Sequence, residues 1–156
     1  MRRLALSLAA CGLLAGVAGR AASSTTDTQR LVIRLISDNS LVKTVDKPPK
    51  GKLNAGDQLT TTSTLRNQVA QFGKPKGALV GHDRATSTFI SSKAYTIDGY
   101  ASLPGGRVMF HGRVTRPSST VPVTGGTGRF AHARGTVAAE DLGGSRSINI
   151  YRLTLP

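Results

Sequence analysis

Gly125, Gly126, Gly128 and Gly135 are crowded into one stretch, Pro122 to Gly135, whose middle is apolar: Phe130, Ala131 and Ala133. A flexible linker carries no such apolar centre. Glycine accepts a positive φ, or lets a second backbone come close, where other residues do neither. The stretch therefore reads as one specific path: a strand, a glycine-determined turn, about one short helical turn, then the next strand. Composition points the same way. Ser, Thr, Val and Gly are plentiful, acids are few, and the aromatics are four Phe and three Tyr with no Trp. That profile suits strands and turns rather than helices.

Periodicity along the chain gives about eight strands with short connections. Leu31 to Ile36 is rich in β-branched residues and reads as the first strand. Lys43 to Lys52, with Pro48-Pro49 inside it, reads as a solvated loop long enough to lie over a barrel mouth. Further strands are expected over Gln58 to Arg66, Ala78 to Ile90 and Ala94 to Leu103, the last ending at the turn signal Pro104-Gly105-Gly106. In the next, Val108, Phe110, Gly112 and Val114 alternate with Arg107, Met109, His111 and Arg113, the mark of a strand with one buried face. Thr120 to Val123, Thr136 to Leu142 and Arg146 to Leu155 complete the set. Antiparallel strands in this number escape exposed edges by closing into a barrel.

The N-terminus is organised differently. Met1-Arg2-Arg3 is cationic, Leu4 to Val17 is an apolar run, and small residues follow to Ala22. This is the layout of a secretory signal peptide, with cleavage expected between Ala18 and Ala22. The run is short for a membrane span, which needs about 20 apolar residues. Leu8-Ala9-Ala10-Cys11 has the look of a lipid-attachment box, but it stands too near Arg3 for a normal apolar core. Arg2-Arg3 also fits a twin-arginine export signal, although any basic start serves the ordinary route. Cys11 is the only cysteine and leaves with the signal, so no disulfide or thiol chemistry is expected in the mature chain. The expected division is residues 1–21 as signal, 22–30 as a polar disordered lead-in, and 31–156 as one barrel domain. Loss of Arg2 and Arg3 takes the formal charge from +13 to +11, and loss of Arg20 as well takes it to +10.

The glycine run resembles the signature of the dirigent and allene-oxide-cyclase superfamily, and matches it at Val123, Gly125, Gly126, Thr127, Gly128, Arg129, Phe130, Ala133, Arg134 and Gly135. Leu79 to Arg84 is similar to the V-G-x-D strand of secreted bacterial members, Gly56-Asp57 to their entry into the second strand, and Leu103 to Val108 to their L-P-x-G hairpin. The resemblance implies an all-β, calycin-like, eight-stranded antiparallel barrel with one short helical turn and an apolar central cavity. Plant members cyclise an allene-oxide fatty acid or steer phenoxy-radical coupling, and related bacterial barrels close rings in polyketide-type substrates. The protein's part in such reactions is to hold a flexible apolar molecule in one reactive shape, which implies no metal or organic cofactor. Plant relatives form trimers, so a homo-oligomer is an open expectation.

Within such a barrel the candidate catalytic residues are Asp83, Asp98, Tyr100 and Glu140. Asp83 matches the acid of the V-G-x-D strand and lies on the face opposite His82 and Arg84. If it faces the cavity, desolvation raises its pKa and fits it to move a proton. Asp98 and Tyr100 share one face of their strand, and Glu140 lies with Thr136, Ala138 and Leu142. The competing reading of each acid is a solvated or arginine-paired carboxylate. Arg84 and His111 are candidate ligand-binding residues, although the alternation puts His111 on a polar face. The three histidines have no metal-ligand spacing. A Gly-x-Ser-x-Gly elbow is absent, and Gly125 to Gly128 lacks the Lys-Ser/Thr that closes a phosphate loop.

Two functions compete. One is an exported barrel that binds an apolar small molecule (lipid, phenolic or polyketide-like), cyclising it or directing its stereochemistry. The other is a non-enzymatic basic exported protein that binds surface polyanions, with Lys43, Lys47, Lys50, Lys52, Lys74 and Lys76 among its cations. Specific nucleic-acid binding is not expected, because the cations are not interleaved with stacking aromatics.

Overall fold

The computed structural model describes residues 28–156. Eight strands, each hydrogen-bonded to its neighbours in chain order, form a closed antiparallel barrel in which β8 returns to pair with β1. They are β1 (Gln29–Val45), β2 (Gln58–Asn67), β3 (Leu79–Phe89), β4 (Ala94–Leu103), β5 (Gly106–Thr115), β6 (Thr120–Gly126), β7 (Arg134–Gly143) and β8 (Arg146–Leu155). A single 3-10 turn, Gly128–Phe130, joins β6 to β7. Closure leaves no free sheet edge, which removes the pairing liability of an open sheet. The expected signal segment, with Cys11 and Arg20, lies outside the described residues.

The first strand departs most from its sequence expectation. β1 pairs with β8 from Gln29, inside the segment read as a lead-in, and continues through Val45 into what read as a loop. Its second half takes its ladder from β2, with Val42 opposite Thr61 and Lys43 opposite Thr60, after an irregularity between Asn39 and Leu41. The reading stopped at Ile36 because the next inward residues, Ser37 and Asn39, are polar and break the apolar alternation. They face a cavity rather than a packed core.

The two ends of the barrel differ. At the end holding the β2–β3 and β4–β5 connections, Leu35, Leu65, Ala101, Val108 and Leu153 meet in a dry core. The glycine stretch closes that end by folding Phe130 and Ala133 over it, both with no exposed surface. The β2–β3 connection is fixed by Asn67, whose Nδ2 donates to the carbonyls of Gln71 (2.9 Å) and Lys74 (3.1 Å). Gln71 then substitutes for a strand: its Oε1 accepts from the Arg34 amide (3.1 Å) and its Nε2 donates to the Arg34 carbonyl (2.7 Å). Backbone groups that β2 no longer reaches are thereby satisfied, as buried or half-buried amides require.

The opposite end carries the β1–β2 loop and the β3–β4, β5–β6 and β7–β8 connections, and it is open. Asp57 pins the long loop there. Its carboxylate accepts from the backbone N–H of Lys47 (2.8 Å) and Asn54 (2.7 Å). Those bonds hold its pKa below the usual carboxylate value, with Lys47 contributing most. Asp57 is covered by the loop it ties down rather than by the barrel core. Asp57→Ala is expected to release residues 46–56, seen as faster amide hydrogen exchange confined to that loop while the strands stay protected.

Candidate functional site

Inside the open half lies a cavity of about 170 Å³ to which all eight strands or their ends contribute. Its lining is divided. On the β8–β1–β2–β3 side stand Ser37, Ser63, Asp83, Asn149 and Tyr151, and on the β4–β7 side Ile97, Phe110, Val121, Val137 and Ala139. The cavity therefore has a polar wall and an apolar wall, where the resemblance implied an apolar cavity with a few polar residues. No Lys, Arg or His lines it.

Asp83 is the one carboxylate of the cavity and is almost fully buried, with 6% of its surface exposed. The Ser37 hydroxyl donates to its Oδ2 (3.4 Å), as does the Asn149 amide (3.3 Å). Both contacts are long, and no cation closes on the group. Burial accordingly pushes the Asp83 carboxyl above its usual range, and hydrogen bonds from Ser63 and Ser37 offset part of that rise. The Ser63 hydroxyl, with one proton to share between Asp83 and Asn39 Oδ1 (2.7 Å), and Ser147, donating to Asn149 Oδ1 (3.2 Å), link the wall into a hydroxyl–amide network.

Tyr151 completes the polar wall. Its side chain has no exposed surface, and its hydroxyl has no hydrogen-bond partner among the described protein groups. Burial raises its pKa, and the negative charge of Asp83 raises it further. Neighbouring Asn149 opposes that rise without closing a hydrogen bond of acceptable geometry to the hydroxyl. Tyr151 is thus held as a neutral phenol, a donor with nothing from the protein to donate to. An unmatched buried polar group costs about 1–3 kcal/mol, so a native structure that keeps one calls for an explanation.

Of the residues singled out from sequence, Asp83 is in the cavity and the others are on the outer wall. The inward faces are set by buried apolar residues: Ala101 and Leu103 on β4, Val108 and Phe110 on β5, and Val137 on β7. Asp98, Tyr100 and Glu140 fall on the opposite parity and point outward, which corrects the reading that offered them to a pocket; His111 lies on the polar face that its alternation gave, which removes it from a cavity-binding role. Asp98 and His111 form an exposed pair, 3.2 Å apart. Tyr100 lies under the Arg107 guanidinium, 4.7 Å from its ring centre, with His82 edge-on at 6.5 Å. Arg84 and Glu140 are exposed. Tyr151, Asn149 and the β1–β2 serines went unnoticed. For Tyr151 a signal existed: Tyr151, Leu153 and Leu155 alternate with Arg152 and Thr154, which puts the tyrosine inside. Among the described residues no group of three or more His, Cys, Asp or Glu could hold a metal ion.

No protein-family model matches the chain, and no curated protein matches it. Solved structures do. A pyocyanin demethylase superposes with a TM-score of 0.65 at 19% identity, over 79% of this chain and 99% of its own. A pterocarpan synthase dirigent protein gives 0.60 at 19% identity, over 82% and 84%. A nonspecific heme-binding cyclase that catalyses a cycloaddition during neoabyssomicin biosynthesis gives 0.62 at 16% identity, over 81% and 63%. The chain has the fold of the dirigent and allene-oxide-cyclase-like barrels. At these identities the likeness is one of fold.

The raised carboxyl has a consequence for stability that needs no ligand. Because the folded state holds the Asp83 proton more tightly than the unfolded chain, stability falls as pH rises from the ordinary value of 3.8 through the raised folded one, and stays lowered above it. Asp57 works the other way: its contribution is present above the ordinary value and lost as pH falls through its lowered one. Asp83→Asn is expected to raise the unfolding midpoint at about pH 8 and to lose that advantage at about pH 3, where the carboxyl is neutral in both states. Thermal unfolding followed by circular dichroism at the two pH values checks it.

Proposed function

We propose that this barrel binds a small ring-containing molecule with one apolar face and one hydrogen-bonding edge, and that Asp83 and Tyr151 hold that edge. The observation that carries the reading is the buried, unmatched Tyr151 hydroxyl beside a desolvated carboxyl in a cavity with one apolar wall. Size narrows the ligand. A cavity of about 150 Å³ accepts benzene, and this one is about 170 Å³, so one ring enters and a larger ligand projects from the mouth. Charge narrows it again. With no Lys, Arg or His in its lining the cavity offers a ligand carboxylate no partner, while its acid favours a hydroxyl or N–H donor, so phenolic or polyketide-like rings fit better than fatty acids.

The chemistry this arrangement supports is proton movement at a confined ligand. Tyr151, held neutral, donates a hydrogen bond to a ligand oxygen and stabilises negative charge developing there. Asp83, its pKa raised by burial, is placed to take a proton from the ligand or return one. The apolar wall fixes which ligand face is presented, which is what a cyclising or stereochemistry-directing barrel requires. Neighbours named as a demethylase, a synthase and a cyclase support such a use of the fold. Export through the signal-like residues 1–21 is part of the proposal.

A panel of phenolic, polyketide-like and fatty-acid compounds tests it through the unfolding midpoint at low and high salt. The expected result is a shift with hydroxylated rings that persists in high salt, because apolar burial is not screened. Shifts given by heparin alone and abolished by salt would sink it, leaving a charged barrel without a ligand cavity.

A further inference from the structure

Cations stand at both ends of the barrel, but the acidic side chains are sorted. Asp46 and Asp57 lie in the β1–β2 loop at the open end, Asp38 sits against Arg146 there (3.7 Å), and Glu140 and Asp141 end β7 beside it. Asp98 is midway along the outer wall of β4, opposite His111, and Asp83 is inside. The closed end has no acidic side chain among the described residues. Around it stand Arg30 on β1, Arg66 on β2, Lys74 and Lys76 in the β2–β3 connection, Arg129 in the 3-10 turn, and Arg134 and Arg152 on β7 and β8. All are exposed. None lies within ion-pair distance of a carboxylate among the described residues. Where they bond, they bond carbonyls: Arg66 to Gly77, Lys74 to Leu79, Arg134 to Thr124.

Like charges are also packed together there. Arg30 and Arg134 flank Thr154 from either side, and Arg152 on the same strand sits between Val32 and Thr136. Like charges on neighbouring positions of one sheet face are destabilising, so the arrangement is better satisfied with an anion against it. Exposed apolar residues are interspersed: Val32 (54% exposed), Val69 (46%) and Leu79 (50%). A linear polyanion would engage one side of the barrel. Cations that encircle one end, with apolar side chains between them, match a plane that is anionic on top and apolar beneath.

We infer that the closed end docks on an anionic lipid bilayer, with Lys and Arg on the headgroups and Val69 and Leu79 at the acyl boundary. The cavity mouth then faces away from the lipid, towards solution. The inference is independent of the cavity reading, since it uses none of its residues. It also redistributes the lysines pooled in the sequence: Lys43, Lys47, Lys50 and Lys52 belong to the open end and Lys74 and Lys76 to the closed one.

Flotation with phosphatidylcholine vesicles, with and without phosphatidylglycerol, tests this alongside heparin binding. One variant carries Arg30→Gln, Lys74→Gln, Lys76→Gln and Arg152→Gln; its control removes equal charge from the open end with Lys47→Gln, Lys50→Gln, Lys52→Gln and Arg116→Gln. The expected result is capture by the phosphatidylglycerol vesicles only, weakened about tenfold or more by the closed-end set and little by the control. Val69→Ser with Leu79→Ser should weaken vesicle binding and leave heparin binding unchanged. Equal losses from the two charge sets, or heparin binding without vesicle binding, overturn the inference. Unfolding midpoints of each variant show that the barrel is intact.

Discussion

Gly135→Ala is expected to cost the barrel about 3 kcal/mol or more, a large loss for a one-methyl change. Gly135 sits in β7 at φ 137°, and a Cβ there would lie 1.9 Å from the Arg152 carbonyl oxygen and 3.0 Å from its carbon. The obstacle is the backbone of β8, the strand that closes the barrel against β1, so it cannot turn aside as a side chain would. Gly128 predicts the same for the other half of the motif. At φ 59° its added Cβ would fall 2.1 Å from the Gly105 oxygen, prising the turn that carries Phe130 off the closed end. At Gly125 a Cβ meets nothing closer than 3.8 Å, so only its φ of 159°, which L side chains rarely adopt, opposes a substitution. For a domain of this size each kcal/mol moves the unfolding midpoint by about 3 °C. Gly135→Ala and Gly128→Ala should therefore melt about 10 °C lower or fail to fold, while Gly125→Ala, opposed by backbone strain alone, should lose less.

Tyr151→Phe should separate stability from function. The substitution removes a hydroxyl that has no protein partner and leaves the ring that fills the core, so the folded barrel should be unchanged or about 1 kcal/mol more stable. Ligand affinity should fall about tenfold or more, because the ligand oxygen that accepted from the phenol would be buried without a donor. A tyrosine with a purely structural role would give the reverse, a loss of stability with no selective loss of binding. Thermal unfolding together with titration of a salt-resistant ligand from the panel decides between them.

The fold was legible because its strands carry ordinary signals. β5 alternates cleanly, β4 and β8 have turn chemistry at their ends, and the glycine stretch specifies a backbone path that few alternatives satisfy. The site was less legible for a physical reason. A cavity wall needs inward polar residues, and Ser37, Asn39 and Ser63 are what a strand reader takes for the end of a strand or for its solvent face. Asp83 stood out because it matches the acid of the V-G-x-D strand, and the outward parity of His82 and Arg84 is what turns it inward. Asp98, Tyr100 and Glu140 were singled out for their chemistry, while the apolar residues that set their strands' inward faces placed them outside. The apolar half of the cavity consists of Ile97, Phe110, Val121 and Val137, which in sequence look like any core.

The most direct test of the cavity account is to map amide and methyl chemical shifts while titrating the best hydroxylated-ring ligand at high salt. The account predicts changes concentrated at Ala85, Ile97, Val121, Val137 and Ala139, with Asp83→Asn altering the pH dependence of binding. Changes confined to the outer wall around Asp98, Tyr100 and His111, with the cavity resonances unmoved, would contradict it.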